Sequence, residues 1–156
     1  MAIEIEKKFL VKDKRFRDEA TKQFRIVQGY LSSVPERTVR VRIKDKKGVL
    51  TIKGGSNKSG TTRYEWEKNI SVKDAEELLK ICEPGIIEKN RYVVQKGSHE
   101  YEVDVFAGEN EGLVIAEVEL QSEDEVFNKP AWLGEEVTGN SKYFNSMLIK
   151  KPYRSW

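Results

Sequence analysis

The sequence predicts an α+β fold in which an antiparallel sheet of eight strands dominates and helices pack outside it. Two observations carry that prediction. Apolar and polar residues alternate over eight separate stretches, which is the two-residue period of a strand. Several of these stretches are joined by turn sequences short enough to make their strands antiparallel neighbours.

The first strand is read over residues 2–11, where Glu4, Glu6 and Lys8 oppose Ile3, Ile5 and Phe9. A helix is expected over 13–24, "DKRFRDEATKQF", with Asp13 as its N-cap. Strands follow over 25–32, 36–45 and 48–54, the last two joined by "DKKG". The stretch "GGSNKSG" has Gly55 and Gly60 at phosphate-loop spacing. Thr61 stands where that motif needs lysine, and a strand follows instead of a helix, so the stretch reads as a flexible hairpin loop. The fifth strand covers 61–70.

"SVKDAEELLKIC" is a second helix. Ser71 is at its N-cap and Asp74 three residues on, and Val72, Ala75, Leu78, Leu79 and Cys82 form one apolar stripe. "EPG" ends it. Strands over 86–96, 99–107 and 113–122 are linked by "QKGS" and "GENEG", and helical segments are expected over 123–128 and 140–150.

The 156 residues are read as a single domain, 1–156. Net charge is only +2, from 28 basic and 26 acidic side chains. A nucleic-acid binder shows a one-sided basic excess, so no nucleic-acid partner is expected. No apolar run approaches the ~20 residues of a membrane span, so no membrane partner is expected either. The lone cysteine, Cys82, cannot form an intrachain disulfide, and charge begins at Glu4. Both point to a cytoplasmic protein without a signal peptide. "NKS" and "NIS" are read as chance matches to the glycosylation pattern.

Splitting each strand by parity isolates one polar face. It carries Glu4, Glu6 and Lys8; Gln28 and Tyr30; Arg40, Arg42 and Lys44; Thr51 and Lys53; Arg63, Glu65 and Glu67; Lys89 and Arg91; Glu102 and Asp104; Glu117 and Glu119. An ordinary sheet would turn such a face to water. Here the central positions are mostly ionised and segregate by sign: the third and fourth strands basic, the seventh and eighth acidic. Eight antiparallel strands can also close into a barrel. The helices would then cover an apolar outer face and leave the charged face inside. Ionised groups in a lumen need partners, and a polyanion with a divalent cation would supply both signs.

Glu4-x-Glu6-x-Lys8, followed in order by "VRVRIK", "LTIKG", "IEKNRYVV", "YEVDVF", "LVIAEVEL" and "WLGEEVTGNSKYFN", resembles the CYTH superfamily, the triphosphate tunnel metalloenzymes. The resemblance covers almost the whole chain. It implies a closed eight-stranded antiparallel β-barrel, a tunnel, that binds a triphosphate with Mg2+ or Mn2+. It assigns Glu4, Glu6, Asp104, Glu117 and Glu119 to the metal. Lys8, Arg40, Arg42, Lys53, Lys89, Arg91 and Lys142 are assigned to the triphosphate, and Lys8 with Tyr30 to catalysis. Glu65 and Glu67 either serve a second metal or balance Arg63.

Members of this family hydrolyse inorganic, thiamine or nucleoside triphosphates, and others cyclise ATP. The chain is short and has no obvious insertion for an adenine pocket. The reading is therefore a metal-dependent hydrolase of inorganic triphosphate. Alternatives are an adenylate cyclase, an ATP or thiamine triphosphate hydrolase, and a polyphosphate-binding module without turnover. The protein is expected as a monomer or homodimer. His99 is expected to be exposed at a hairpin, Cys82 to lie in the core, and Trp66 and Trp132 to pack helices onto the barrel.

Overall fold

Eight strands alternate as expected, and a ninth joins them: β1 (Ile3–Val11), β2 (Ala20–Ser32), β3 (Arg37–Lys44), β4 (Lys47–Gly54), β5 (Thr62–Ile70), β6 (Ile87–Lys96), β7 (His99–Phe106), β8 (Val114–Glu119) and the short β9 (Leu133–Glu136). The structure, a computed structural model, describes residues 3–156, so residue 2 of the first expected strand lies outside it. The sheet runs β5-β4-β3-β2-β6-β7-β8-β1-β9 with every pairing antiparallel. Pairing of Ile3, Glu4 and Ile5 with Tyr64, Arg63 and Thr62 joins β1 to β5 and closes a barrel of eight strands.

Closure depends on a change of partner along β1. One edge pairs with β8 from Glu6 to Leu10. The other edge pairs first with β5, through Ile5, and then with β9, from Phe9. In between, the Glu6 N–H donates to the Thr61 carbonyl (3.1 Å). The Lys8 N–H donates to Thr138 Oγ1 (3.0 Å), and the Lys8 carbonyl accepts from the Val137 N–H (2.8 Å). Loop residues thus satisfy the backbone where strand pairing lapses.

The apolar face is outside. Phe9, Tyr92, Val94, Tyr101, Val103, Ala116 and Val118 from the strands pack with Phe16, Leu120 and Trp132. Ile87, Phe106 and Ile115 pack under Leu113 and Leu148 near the C-terminus. Helix α2 (Val72–Leu79) lies against β3 and β4, and Ser71 Oγ accepts from the Asp74 N–H at 3.0 Å, the expected cap. No helix among the described residues is long and apolar enough to cross a membrane.

Three helical expectations shrink. The one over 13–24 becomes α1 (Phe16–Glu19), and Ala20–Phe24 join β2, where they pair with β6. That ladder outweighs the local helix preference of "ATKQF". Phe16 anchors α1, edge-on to Tyr92 (5.3 Å) and Trp132 (5.9 Å). Residues 123–128 hold no helix. There Glu123 and Glu125 accept hydrogen bonds from distant loops instead. Residues 140–150 hold a 3-10 turn (Ser141–Tyr143) and α3 (Asn145–Leu148).

Of the expected packing tryptophans, Trp132 is buried, whereas Trp66 is 40% exposed. His99 is half-buried and pairs with Glu125, not simply exposed, and Cys82 is half-buried at the helix end.

The loop after β4 is tied down. The Glu123 carboxylate accepts from Asn57 Nδ2, Ser59 Oγ, Thr61 Oγ1 and Thr62 Oγ1 at 2.6–3.0 Å. Beside it, Gly60 (φ 76°) meets Gly139 (φ 77°) across the seam. A Cβ on Gly60 would lie 2.3 Å from the Gly139 Cα, backbone against backbone. Gly60→Ala should therefore lower stability by about 1–3 kcal/mol in urea unfolding. Gly54→Ala, whose Cβ meets nothing nearer than 3.6 Å, should stay within about 1 kcal/mol of wild type.

Candidate active site

The inward parity of the strands lines a cavity of about 250 Å³. In the closed order, three strands lie between β3 and β8 in either direction, so they face each other across the lumen. Arg40, Arg42 and Lys44 on β3, with Lys53 on β4, form a basic wall opposite Glu117 and Glu119 on β8. Glu4 and Glu6 on β1 extend the acidic side. β1 and β2 are likewise opposed, so Lys8 and Tyr30 look at each other across the lumen. No hydrogen bond joins them among the described residues.

Among the described residues, Glu4, Asp104 and Glu117 each have a basic partner within 4 Å, whereas Glu6 has none. Lys53 Nζ donates to both Glu4 oxygens (2.9 and 2.8 Å) and lies 3.4 Å from Glu65. Burial alone would raise the Glu4 carboxyl, but the Lys53 ammonium outweighs it and holds Glu4 at about 2. Lys8 Nζ sits 3.9 Å from Glu117. Despite burial, Lys8, Arg91 and Lys89 hold Glu117 well below the carboxylate range.

Glu6 is the exception. Burial, then Glu117 and Glu4, push its carboxyl up to about 8. Its register partner is Glu119, another acid, and like charges directly opposite are unfavourable. Glu119 is raised as well, by burial and then by Glu4 and Glu102. On the basic wall, Arg42 is pushed down to about 9 by burial and then by Arg40 and Arg91. The Nε of Arg40 is buried with no hydrogen-bond partner among the described residues. The basic wall therefore holds an unmet donor, and the acidic wall holds carboxyls, Glu6 above all, whose ionised form is disfavoured without a cation beside it.

Eleven of the thirteen site residues expected from sequence line this cavity: Glu4, Glu6, Lys8, Tyr30, Arg40, Arg42, Lys53, Lys89, Arg91, Glu117 and Glu119. Two do not. Asp104 points into the barrel but is 1% exposed, lying beneath Lys89 and Arg91 and outside the cavity lining. Its Oδ1 accepts from Arg91 Nε (2.7 Å), and its Oδ2 from Arg91 Nη2 (2.9 Å) and Lys89 Nζ (2.7 Å). Those cations offset its burial and hold it at about 2. Asp104 thus anchors two bases, and both its oxygens are engaged by them. Lys142 is exposed, with its ammonium 4.0 Å from the Trp156 ring centroid outside the lumen.

The lumen also includes residues absent from that expectation. Lys44, Arg63, Glu65, Glu67 and Glu102 line it, and their strand parity had already placed them on the charged face. Burial and the contact with Glu4 raise Glu65 to about 7. Thr138, Gly139, Phe144, Asn145 and Ser146, together with Ser56, Gly60 and Thr61, arrive from non-repetitive segments. No periodicity could have placed them.

The acidic wall suits a divalent cation in its chemistry, because its candidate ligands are all hard carboxyl oxygens, and a cation would favour the ionised form of Glu6 that burial and its acidic neighbours disfavour. As the side chains stand, no three His, Cys, Asp or Glu among the described residues converge closely enough to hold one. Lys53 and Lys8 engage Glu4 and Glu117 instead.

Comparisons with known proteins agree with this geometry. The CYTH domain family model matches residues 2–153. An inorganic triphosphatase of Acetivibrio thermocellus is 48% identical over 157 residues, covering 100% of this chain and 99% of the relative. An inorganic triphosphatase of Nitrosomonas europaea is 36% identical over 150 residues, covering 93% and 95%. The crystal structure of the inorganic triphosphatase NE1496 superposes with a TM-score of 0.67 at 34% identity, covering 96% of this chain and 95% of that one.

Two outcomes follow from the Glu4–Lys53 pair. Glu4 and Asp104 are depressed below their ordinary values of 4.5 and 3.8. Such carboxylates stabilise the fold above those values, and the contribution is lost as pH falls toward about 2. Urea unfolding followed from pH 5 downward should show that loss, about pH 4.5 to 2. Lys53→Met should destabilise by up to about 3 kcal/mol at pH 7, because it removes both hydrogen bonds to buried Glu4 and leaves only Arg63 Nε, 3.6 Å away, to balance it. Adding Glu4→Gln should restore part of it.

Proposed function

The chain belongs to the CYTH domain family, and from that premise we propose that it hydrolyses inorganic triphosphate with the help of Mg2+ or Mn2+. The observation that carries this reading is the pairing of two opposed walls of opposite sign within one lumen. A triphosphate is a polyanion whose oxygens need cationic donors, and the basic wall supplies them. The cavity of about 250 Å³ falls below the roughly 300–1,000 Å³ of sites that enclose drug-sized organic ligands. That favours a bare inorganic triphosphate over ATP or thiamine triphosphate. The two curated relatives named above carry the same activity in their names.

In the reaction, a terminal phosphoanhydride P–O bond breaks and water supplies the oxygen of the new one, leaving orthophosphate and pyrophosphate. Arg40, Arg42, Lys53, Lys89 and Arg91 hold the phosphate oxygens and spread the charge that builds on them, the main protein contribution to phosphoryl transfer. Lys8 is an N–H donor in the lumen wall and assists at the scissile phosphate. Tyr30, on the opposite wall, orients the other side of the substrate. Glu4, Glu6, Glu117 and Glu119 would hold the divalent cation, which would supply charge neutralisation and a polarised water. Asp104 stays outside that set, since both its oxygens hold bases.

Purified protein given tripolyphosphate with Mg2+ or Mn2+ should release orthophosphate faster than it does from ATP or thiamine triphosphate. Cyclic AMP as the main product from ATP, or binding without release, would overturn the reading. Glu117→Gln and Glu119→Gln should each lower kcat by about 100-fold or more. Mn2+ alone should raise the Tm of wild type and leave that of the Glu6→Gln/Glu117→Gln double variant unmoved.

A further inference from the structure

At one end of the lumen, three of the basic side chains are joined in a single buried network. Arg42 Nε donates to Gln28 Oε1 at 2.7 Å. Gln28 Nε2 donates to Asn145 Oδ1 at 3.1 Å. Lys89 Nζ donates to the same Asn145 oxygen at 2.9 Å and lies 2.7 Å from Asp104 Oδ2. Asp104 in turn receives Arg91. Gln28, Lys89 and Asp104 are almost completely buried.

We propose that Asn145 is a positioning residue of the phosphate clamp, fixing Lys89 directly and Arg42 through Gln28. The proposal rests on the triphosphate reading above. A count of donors shows what the network does. An ammonium has three N–H donors, and Asp104 and Asn145 occupy two of those of Lys89, which leaves one for substrate. Arg42 has its Nε occupied by Gln28, which leaves both Nη groups. Two flexible cations are thereby held with defined free donors before substrate arrives, so their side-chain entropy is not lost again on binding.

Asn145 does not come from the barrel. It opens α3, whose Leu148 is buried against Ile87, Phe106, Leu113 and Ile115; Ile87, Phe106 and Ile115 share the inward parity of Lys89, Asp104 and Glu117, so α3 caps one end of the barrel. The apolar docking of the C-terminal segment thus sets where the amide oxygen sits. That oxygen is engaged twice, and the amide NH2 has no protein partner among the described residues while Asn145 lines the lumen.

The test is a double-mutant cycle read by calorimetric titration of tripolyphosphate in metal-free buffer. Asn145→Ala should weaken binding about tenfold, as expected for a lost hydrogen bond to a charged group. In a Lys89→Met background the same change should cost no more than about threefold, because the group it positions directly is gone and only Arg42, held through Gln28, remains. Equal effects in both backgrounds, or wild-type affinity in Asn145→Ala, would overturn the proposal.

Asn145→Asp guards against misfolding of the alanine variant. It keeps an acceptor for both partners, and with it the wild-type Tm, yet should weaken binding about tenfold because its charge cancels that of Lys89 beside the anion. Unchanged affinity in this variant also overturns the proposal. If wild type itself binds no tripolyphosphate, the triphosphate reading fails; if wild type binds and the cycle is additive, only the role of Asn145 falls.

Discussion

Charge enclosed in a closed sheet must be matched from within, and the rest of this molecule follows from how that is done. Glu4 is matched by Lys53, Asp104 by Lys89 and Arg91, and Glu117 by Lys8. A buried ion pair is at best a modest net source of stability, since desolvation consumes much of the attraction. The stability of the fold therefore has to come from elsewhere. It comes from the outside of the barrel, where the apolar face is buried under α1, α2 and the segment leading to β9, and from one barrel end, where the C-terminal segment packs on Ile87, Phe106 and Ile115. The arrangement inverts the usual core, with the greasy layer outside the sheet and the ionic layer within.

That inversion also explains why the matching is incomplete. Among the described residues, Glu6 has no basic partner of its own, and the Nε of Arg40 has no acceptor. A protein shaped for stability alone would not keep both. The two defects lie on opposite sides of the lumen and are opposite in sign, so a bound cation and a bound polyanion would correct them together. The lysine pairs on Glu4 and Glu117 then resemble placeholders: each acid is neutralised by a base that a phosphate can draw away.

β1 links these charges to the architecture. Its backbone passes from β5 to loop residues and then to β9 across the few residues that carry Glu6 and Lys8. Gly60 and Gly139 close the same seam by backbone contact, and the Glu123 carboxylate ties down the loop that delivers Gly60. The segment richest in chemistry is thus held partly by side-chain and loop hydrogen bonds, where a continuous ladder would have left less room for the loops that line the lumen.

Parity made most of the site readable. A strand side chain can point only two ways, so once Ile3 and Ile5 belong to the apolar face, Glu4, Glu6 and Lys8 belong to the other. The same logic correctly grouped Arg40 with Arg42 and Glu117 with Glu119. Parity could not reveal that Asp104 spends its oxygens on Lys89 and Arg91, because that depends on register with β6. Nor could it place Lys142 or Asn145, which sit in turns where side-chain direction has no period. The helix expected over 13–24 failed for a related reason: the edge of β6 that captures Ala20–Phe24 lies some seventy residues away in the chain. The sequence by itself determined which residues share a face, and hence that two charged walls of opposite sign exist. Only the tertiary structure decided that the walls enclose a lumen, which acid answers to which base, and which loop side chains complete the site, because those outcomes rest on contacts between residues far apart in sequence.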